Sequence, residues 1–116
     1  MTIEADVAAK KARLDAIRPL AQGSLTSIET WYDVELTYTS NAIEGNTLTR
    51  SETAIVLEKG ITIGGKPLKD HLEAIDHGEA LRFVREVATD SRAVTELDIR
   101  KIHSLVVAKT LPARTG

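Results

Sequence analysis

The chain reads as a mostly α-helical fold of about five helices with one β-hairpin inserted after the third, on three observations. Apolar residues recur at helical rather than strand spacing through most of the sequence. Start and stop signals divide that pattern into segments: Thr2, Ser24, Thr49 and Thr95 stand where N-caps are wanted, and Pro19, Gly45 and Gly60 where helices end. One run, Ile61-Thr62-Ile63, is β-branched at every position, and the Gly64-Gly65 that follows suits a two-residue hairpin turn.

Composition fits a single domain over 1–116. The chain has 116 residues, 42% of them apolar, which is enough for a core without metal or disulfide staples. With one Trp, two Tyr and one Phe, that core must be mostly aliphatic. Fifteen basic against 17 acidic residues leave a net charge of −2. No basic patch interleaved with aromatics is present, so no nucleic-acid partner is expected. The absence of cysteine excludes a disulfide scaffold and a thiol nucleophile, and it suits a reducing compartment. No apolar run approaches the roughly 18 residues of a membrane span, and the first residues are acidic where a signal peptide would be basic. A cytoplasmic location without a membrane partner is expected.

The first helix covers 3–18, with a thin stripe of Ile3, Val7, Leu14 and Ile17 interrupted by Lys10. A turn at 22–24 follows, from which Ser24 caps a long helix over 25–43. Leu25, Ile28, Tyr32, Leu36, Thr39 and Ile43 share one side of it, flanked by Trp31 and Ala42, and that side is expected to face the core. Thr49 and Glu52 have capping-box spacing for a short third helix, which Ala54, Ile55, Val56 and Leu57 give a buried side and Gly60 ends. The hairpin occupies 61–68, its returning strand kept short by Pro67, which donates no ladder hydrogen bond. A fourth helix over 68–88 carries apolar residues, among them Leu72, Ala80, Phe83 and Val87, round more than half its circumference, the mark of a central helix. After a polar loop over 89–93, a second capping-box pair, Thr95 and Asp98, opens a fifth helix over 96–109 whose Ile99, Ile102, Leu105 and Val106 face the core. The run LPARTG at 111–116 has one residue too many for a sortase signal and reads as a frayed terminus.

Certain residues ask for a chemical reading. Ser40 and Glu44, four apart, share a face off the apolar stripe, just before the helix-ending Gly45. At a helix C-terminus a glutamate meets the partial negative charge of the last carbonyls, where Lys or Arg would be favoured. The misplaced charge marks Glu44 as a candidate functional carboxylate. Residues 60–66 have the glycine and lysine spacing of a phosphate-binding P-loop, but Pro67 stands where the Mg²⁺-binding hydroxyl is required and a helix precedes where a strand is needed. A hairpin edge suits pairing with an extended peptide instead. Glu73 and His77 read as a salt-bridged or hydrogen-bonded pair rather than part of a metal site, having no further ligands near them in sequence. His71 and His103 are isolated and read as structural or solvated. No catalytic residue and no metal site is expected.

The string from Ser40 to Thr49, SNAIEGNTLT, resembles the inhibitory-helix motif (Ser/Thr)-x-x-x-Glu-(Gly/Asn) of the Fic family of protein adenylyltransferases, in the version whose inhibitory helix precedes the catalytic core. Residues 60–68 and Asp70-His71-Leu72-Glu73-Ala74 are similar to that family's flap hairpin and the helix after it, so the likeness covers roughly residues 25 to 110. The resemblance implies a partial Fic-like fold, with the inhibitory helix at 25–45, the flap at 61–68 and core helices at 68–88 and 96–109. Ser40, Glu44 and Gly45 would be its regulatory residues. Glu44 would pair with an arginine of the catalytic signature in place of ATP's γ-phosphate, with Ser40 orienting it. Ile61, Thr62, Ile63, Gly64, Gly65 and Lys66 would hold a segment of the target protein.

The family's catalytic signature, His-x-Phe-x-(Asp/Glu)-Gly-Asn-Gly-Arg-x-x-Arg, follows none of His71, His77 and His103. The implied role is the regulatory and target-docking front part of an enzyme that moves AMP from ATP to a protein hydroxyl, with the chain truncated before the signature and inactive alone. ATP and Mg²⁺ are implied for the intact enzyme, and neither is expected to bind this chain by itself. The missing core, or self-association, would cover an apolar face. The alternative is a non-enzymatic helical module, an antitoxin-like inhibitor acting in trans, which would not need the flap-like stretch.

Overall fold

The computed structural model describes residues 2–18 and 21–110. The helices follow in the order α1 Ile3–Ala16, α2 Gln22–Ile43, α3 Arg50–Lys59, α4 Leu68–Thr89 and α5 Glu96–Val106, and no strand occurs among the described residues. The expected helix stop at Pro19 and the terminal run 111–116 lie outside them. Where composition suggested one domain, the chain divides into two compact units, Met1–Thr30 and Trp31–Gly116.

In the first unit, Thr2 caps α1 as expected, its hydroxyl oxygen accepting the Ala5 N–H at 3.1 Å. No residue of α1 is buried, and its stripe residues Ile3, Val7 and Leu14 are exposed. What holds it is local: the cap and the ion pairs Lys10–Asp6 and Lys11–Asp15, each four residues apart. Because α2 already begins at Gln22, Ser24 lies inside that helix and does not cap it.

In the second unit, α4 packs against both α3 and α5. The capping box of α3 is present, Thr49 with Glu52, and Gly60 ends the helix in the left-handed region at φ 64°. Leu48, Val56 and Ala74 form the buried core, with Ile63 and Ile75 packed against it. Gly78 lets α3 approach closely, since a Cβ there would stand 3.0 Å from Leu57 Cδ2. The capping box of α5 is present as well. Arg92 donates a fork to the same Asp98 at 2.6 and 2.8 Å, which fixes the α4–α5 connection. That fork, with the Thr95 N–H, holds the Asp98 carboxyl well below its usual range. In the middle of α4, the fully buried Asp76 accepts the Lys109 N–H at 2.9 Å and the N–H and hydroxyl of Thr110 at 3.3 Å.

Several expectations are corrected. The apolar side of α2 is not the buried one: Tyr32, Leu36 and Ile43 are exposed, whereas Thr37 is completely buried. Towards α4 this helix presents polar groups, Asp33 to Arg85 in an ion pair and Thr37 to His77 in a hydrogen bond. Polar groups tolerate burial when each finds a partner, and periodicity reports where apolar residues lie, not where a neighbour is. The same holds in α5, where Ile99 and Val106 are exposed while Ile102 and Leu105 are partly buried. α5 also ends at Val106 rather than near 109.

The inserted β-hairpin is not formed. Residues 61–63 make no strand, and Lys66 N–H closes a turn on Ile63 C=O at 3.3 Å. Of the two turn glycines, Gly65 alone has positive φ, at 82°. That is the φ pattern of a type II turn, which splays flanking strands, whereas hairpins use primed turns with positive φ at the first central residue. The helix α4 starts at Leu68 directly after Pro67, leaving no length for a return strand.

Candidate functional site

The site is built where the end of α2, the turn at 61–66 and the first turns of α4 meet. α2 ends in a Schellman motif. Asn46 N–H bonds Asn41 C=O and Gly45 N–H bonds Ala42 C=O, both at 3.0 Å, and Gly45 sits in the left-handed region at φ 94°. Glu44 is thus the C-cap residue, between the last helical residue Ile43 and a glycine-specified reversal. Its side chain is exposed, and among the described residues neither Glu44's carboxylate nor Ser40's hydroxyl has a hydrogen-bonding or ionic partner within the chain. Glu44 lines a groove of about 320 Å³ together with Asn41, Lys69, Glu73, His77 and Val106. Ser40 is exposed one turn earlier.

The rest of the string Asn46-Thr47-Leu48-Thr49 serves as an anchor. Asn46 Nδ2 donates to Asp70 C=O at 3.0 Å, Asp70 Oδ2 accepts the Thr47 N–H and hydroxyl, and Leu48 enters the core. Burial works against the Asp70 charge, but the bonds from Thr47 and the nearby Lys69 prevail and hold its carboxyl below the usual range. Lys66, the last residue of the expected flap, turns its ammonium onto Thr47 C=O at 2.6 Å and onto Glu52 at 3.3 Å. The segment after Glu44 and the turn at 61–66 are therefore tied to one another and to α4.

Among the flap residues, Ile63 packs on the core, while Ile61 and Thr62 are exposed together with Gly64 and Gly65. Two buried residues of α4 that local sequence signals do not mark, His71 and Asp70, hold the neighbouring segments. His71, read as isolated, is buried, and its Nε2 accepts the Ile63 N–H at 2.8 Å while Nδ1 meets Pro67 C=O at 2.8 Å. Asp70 is buried as well, bonded to Thr47 rather than to the turn. Nothing local marks either as buried; the signal available was their place in the first turn of a helix that follows a glycine turn. Glu73 and His77 do not pair with each other as expected: Glu73 meets Lys69 at 3.5 Å and Asn46 at 3.4 Å, and His77 Nδ1 meets Thr37 Oγ1 at 2.8 Å. Burial pushes the His77 imidazole below its ordinary value, against the opposing pull of Asp33. Among the described residues no group of three or more His, Asp or Glu is arranged to hold a metal ion, and no helix is long and apolar enough to cross a membrane.

Comparison with known proteins gives consistent relatives, although no protein-family model matches the chain. It is 38% identical over 80 residues to Protein adenylyltransferase Fic of Nematostella vectensis, covering 68% of this chain and 19% of that protein. Against Protein adenylyltransferase Fic of Drosophila willistoni it is 29% identical over 112 residues, 97% of this chain and 22% of the relative. The solved structure of Fic-1 from C. elegans superposes with a TM-score of 0.77 at 25% identity, covering 98% of this chain and 37% of that one. The chain thus spans about a fifth of the length of these curated relatives.

Proposed function

Because this chain belongs, over part of its length, to the Fic family, we propose that it is the regulatory and target-docking front part of a Fic protein adenylyltransferase, with Glu44 as its inhibitory carboxylate. One observation carries the reading: Glu44 stands without a partner at the glycine-specified end of α2, facing a groove. An unpaired carboxylate held at an unfavourable helix end is ready to meet a guanidinium supplied by a catalytic segment, and charge-assisted pairing there takes that guanidinium from a nucleotide phosphate. Ser40, four residues earlier, is within reach to orient it.

The groove beside Glu44 does not itself fit ATP. Glu44 and Glu73 line the groove against one lysine, Lys69, and His77 is held towards its neutral form. That lining repels a triphosphate, so the nucleotide is assigned to the catalytic segment. The exposed main chain at Ile61 and Thr62 is the docking edge for a target protein. The trans-acting inhibitor remains the competing reading, and the same groove would serve it.

The test uses labelled ATP with Mg²⁺ and a target lysate. The 116-residue chain alone should label nothing above a blank. In the protein that carries both this chain and the catalytic signature, Glu44→Gly should raise labelling at least about tenfold at equal folded fraction, the gain from freeing one charge-assisted bond. Unchanged labelling would make Glu44 structural, and inhibition seen only when this chain is added to a separate subunit would select the trans reading.

A further inference from the structure

We propose that His71 is the positioning residue of the flap, fixing residues 61–66 so that the main chain of Thr62 faces outward for a protein target. The inference rests on the docking role proposed for that segment and adds the residue that orients it. Its basis is an accounting of hydrogen bonds. The Ile63 N–H can only donate, so His71 Nε2 must accept it, at 2.8 Å. The proton of the neutral ring then sits on Nδ1 and is donated to Pro67 C=O, also at 2.8 Å. One tautomer satisfies both bonds.

The two bonds straddle the turn. Ile63 is its first residue, and Pro67 is the N-cap of α4, on which His71 itself rides one turn later. A buried side chain, only 3% exposed, thus clamps the segment from below at both ends. The donor that a hairpin would have spent on a partner strand is spent on the imidazole. The N–H and C=O of the neighbouring exposed Thr62 are taken up by no other described residue. Such a free pair of main-chain groups is open to main-chain hydrogen bonding with an extended peptide.

The proposal separates from plain structural support by rescue and by which constant changes. In the 116-residue chain, nitrogen NMR of His71 should report the Nδ1–H tautomer, and the Ile63 amide should exchange slowly. His71→Ala should speed Ile63 exchange by about tenfold, the value of one buried hydrogen bond, while the α3 amides of Thr53 and Val56 stay protected. His71→Gln, whose side-chain oxygen reaches the Nε2 position, should restore it. In the protein carrying the catalytic signature, His71→Ala should raise KM for the target several-fold with KM for ATP unchanged, and His71→Gln should reverse this. An Ile63 amide still protected in His71→Ala, or lost together with those of Thr53 and Val56, overturns the positioning role. Selective Ile63 loss with an unmoved target KM also overturns it as a docking device, and assigns the failure to the docking reading rather than to the His71–Ile63 bond.

Discussion

Asp70, in the first turn of α4, accepts both the backbone N–H and the hydroxyl of Thr47, at 2.9 and 2.5 Å. This carboxylate holds the segment that follows the Schellman turn, so its removal strands a part-buried N–H. Asp70→Ala is expected to cost about 2–3 kcal/mol and Thr47→Val about 1 kcal/mol. Urea unfolding of both variants checks the order of the two losses. Since the folded-state affinity of Asp70 for a proton lies below its unfolded one, this contribution is present above about pH 4 and drains away as pH falls further.

His77 sets a second pH dependence of the same sign through the opposite charge type. Its folded-state value is depressed, so the unfolded chain binds the proton first on acidification. Stability should therefore fall as pH drops below about 6.5. Unfolding midpoints measured at about pH 7.5 and about pH 5.5 should differ in the parent and converge in His77→Gln. A parent midpoint that rises in acid would contradict this account.

Gly45→Ala isolates the conformational demand of the turn. No atom stands within 4 Å of where its Cβ would be, so the penalty arises from φ 94° alone. The expected destabilisation is about 1 kcal/mol, smaller for Gly45→Asn. Thermal melts of the three proteins should rank in that order.

Much of the helical frame was legible because its signals are local. Thr2, the Thr49–Glu52 box, the Thr95–Asp98 box and Gly60 each act within four residues of where they stand, and each does in the structure what its type predicts. What failed depended on partners far along the chain. The Ile61–Ile63 run is as β-branched as a strand, but its Ile63 N–H goes to a histidine eight residues on. Tyr32, Leu36 and Ile43 form a good stripe, yet Asp33 and Thr37 meet α4, Thr37 through a histidine 40 positions away. Glu44 could be singled out from its place beside Gly45, whereas the network behind it, from Asn46 and Thr47 to Asp70, could not be read from spacing.

Thr62→Pro tests the docking edge with little cost to the fold, since the N–H it removes is not used within the described residues. In the protein with the catalytic signature, target modification should drop several-fold while ATP binding holds. Equal losses in both would leave the turn a structural element.

The bonds on Asp76 have a consequence for the order in which the molecule assembles. Its carboxylate is completely buried, and the amide that meets it at 2.9 Å belongs to Lys109, 33 residues later. Translation adds roughly 5–20 residues per second, so for some seconds α4 is extruded with an uncompensated charge at its centre. That charge keeps the surrounding face of α4 hydrated during synthesis. Pairing of Asp76 with the amides of Lys109 and Thr110, in the turns after α5, therefore waits until that segment has been made.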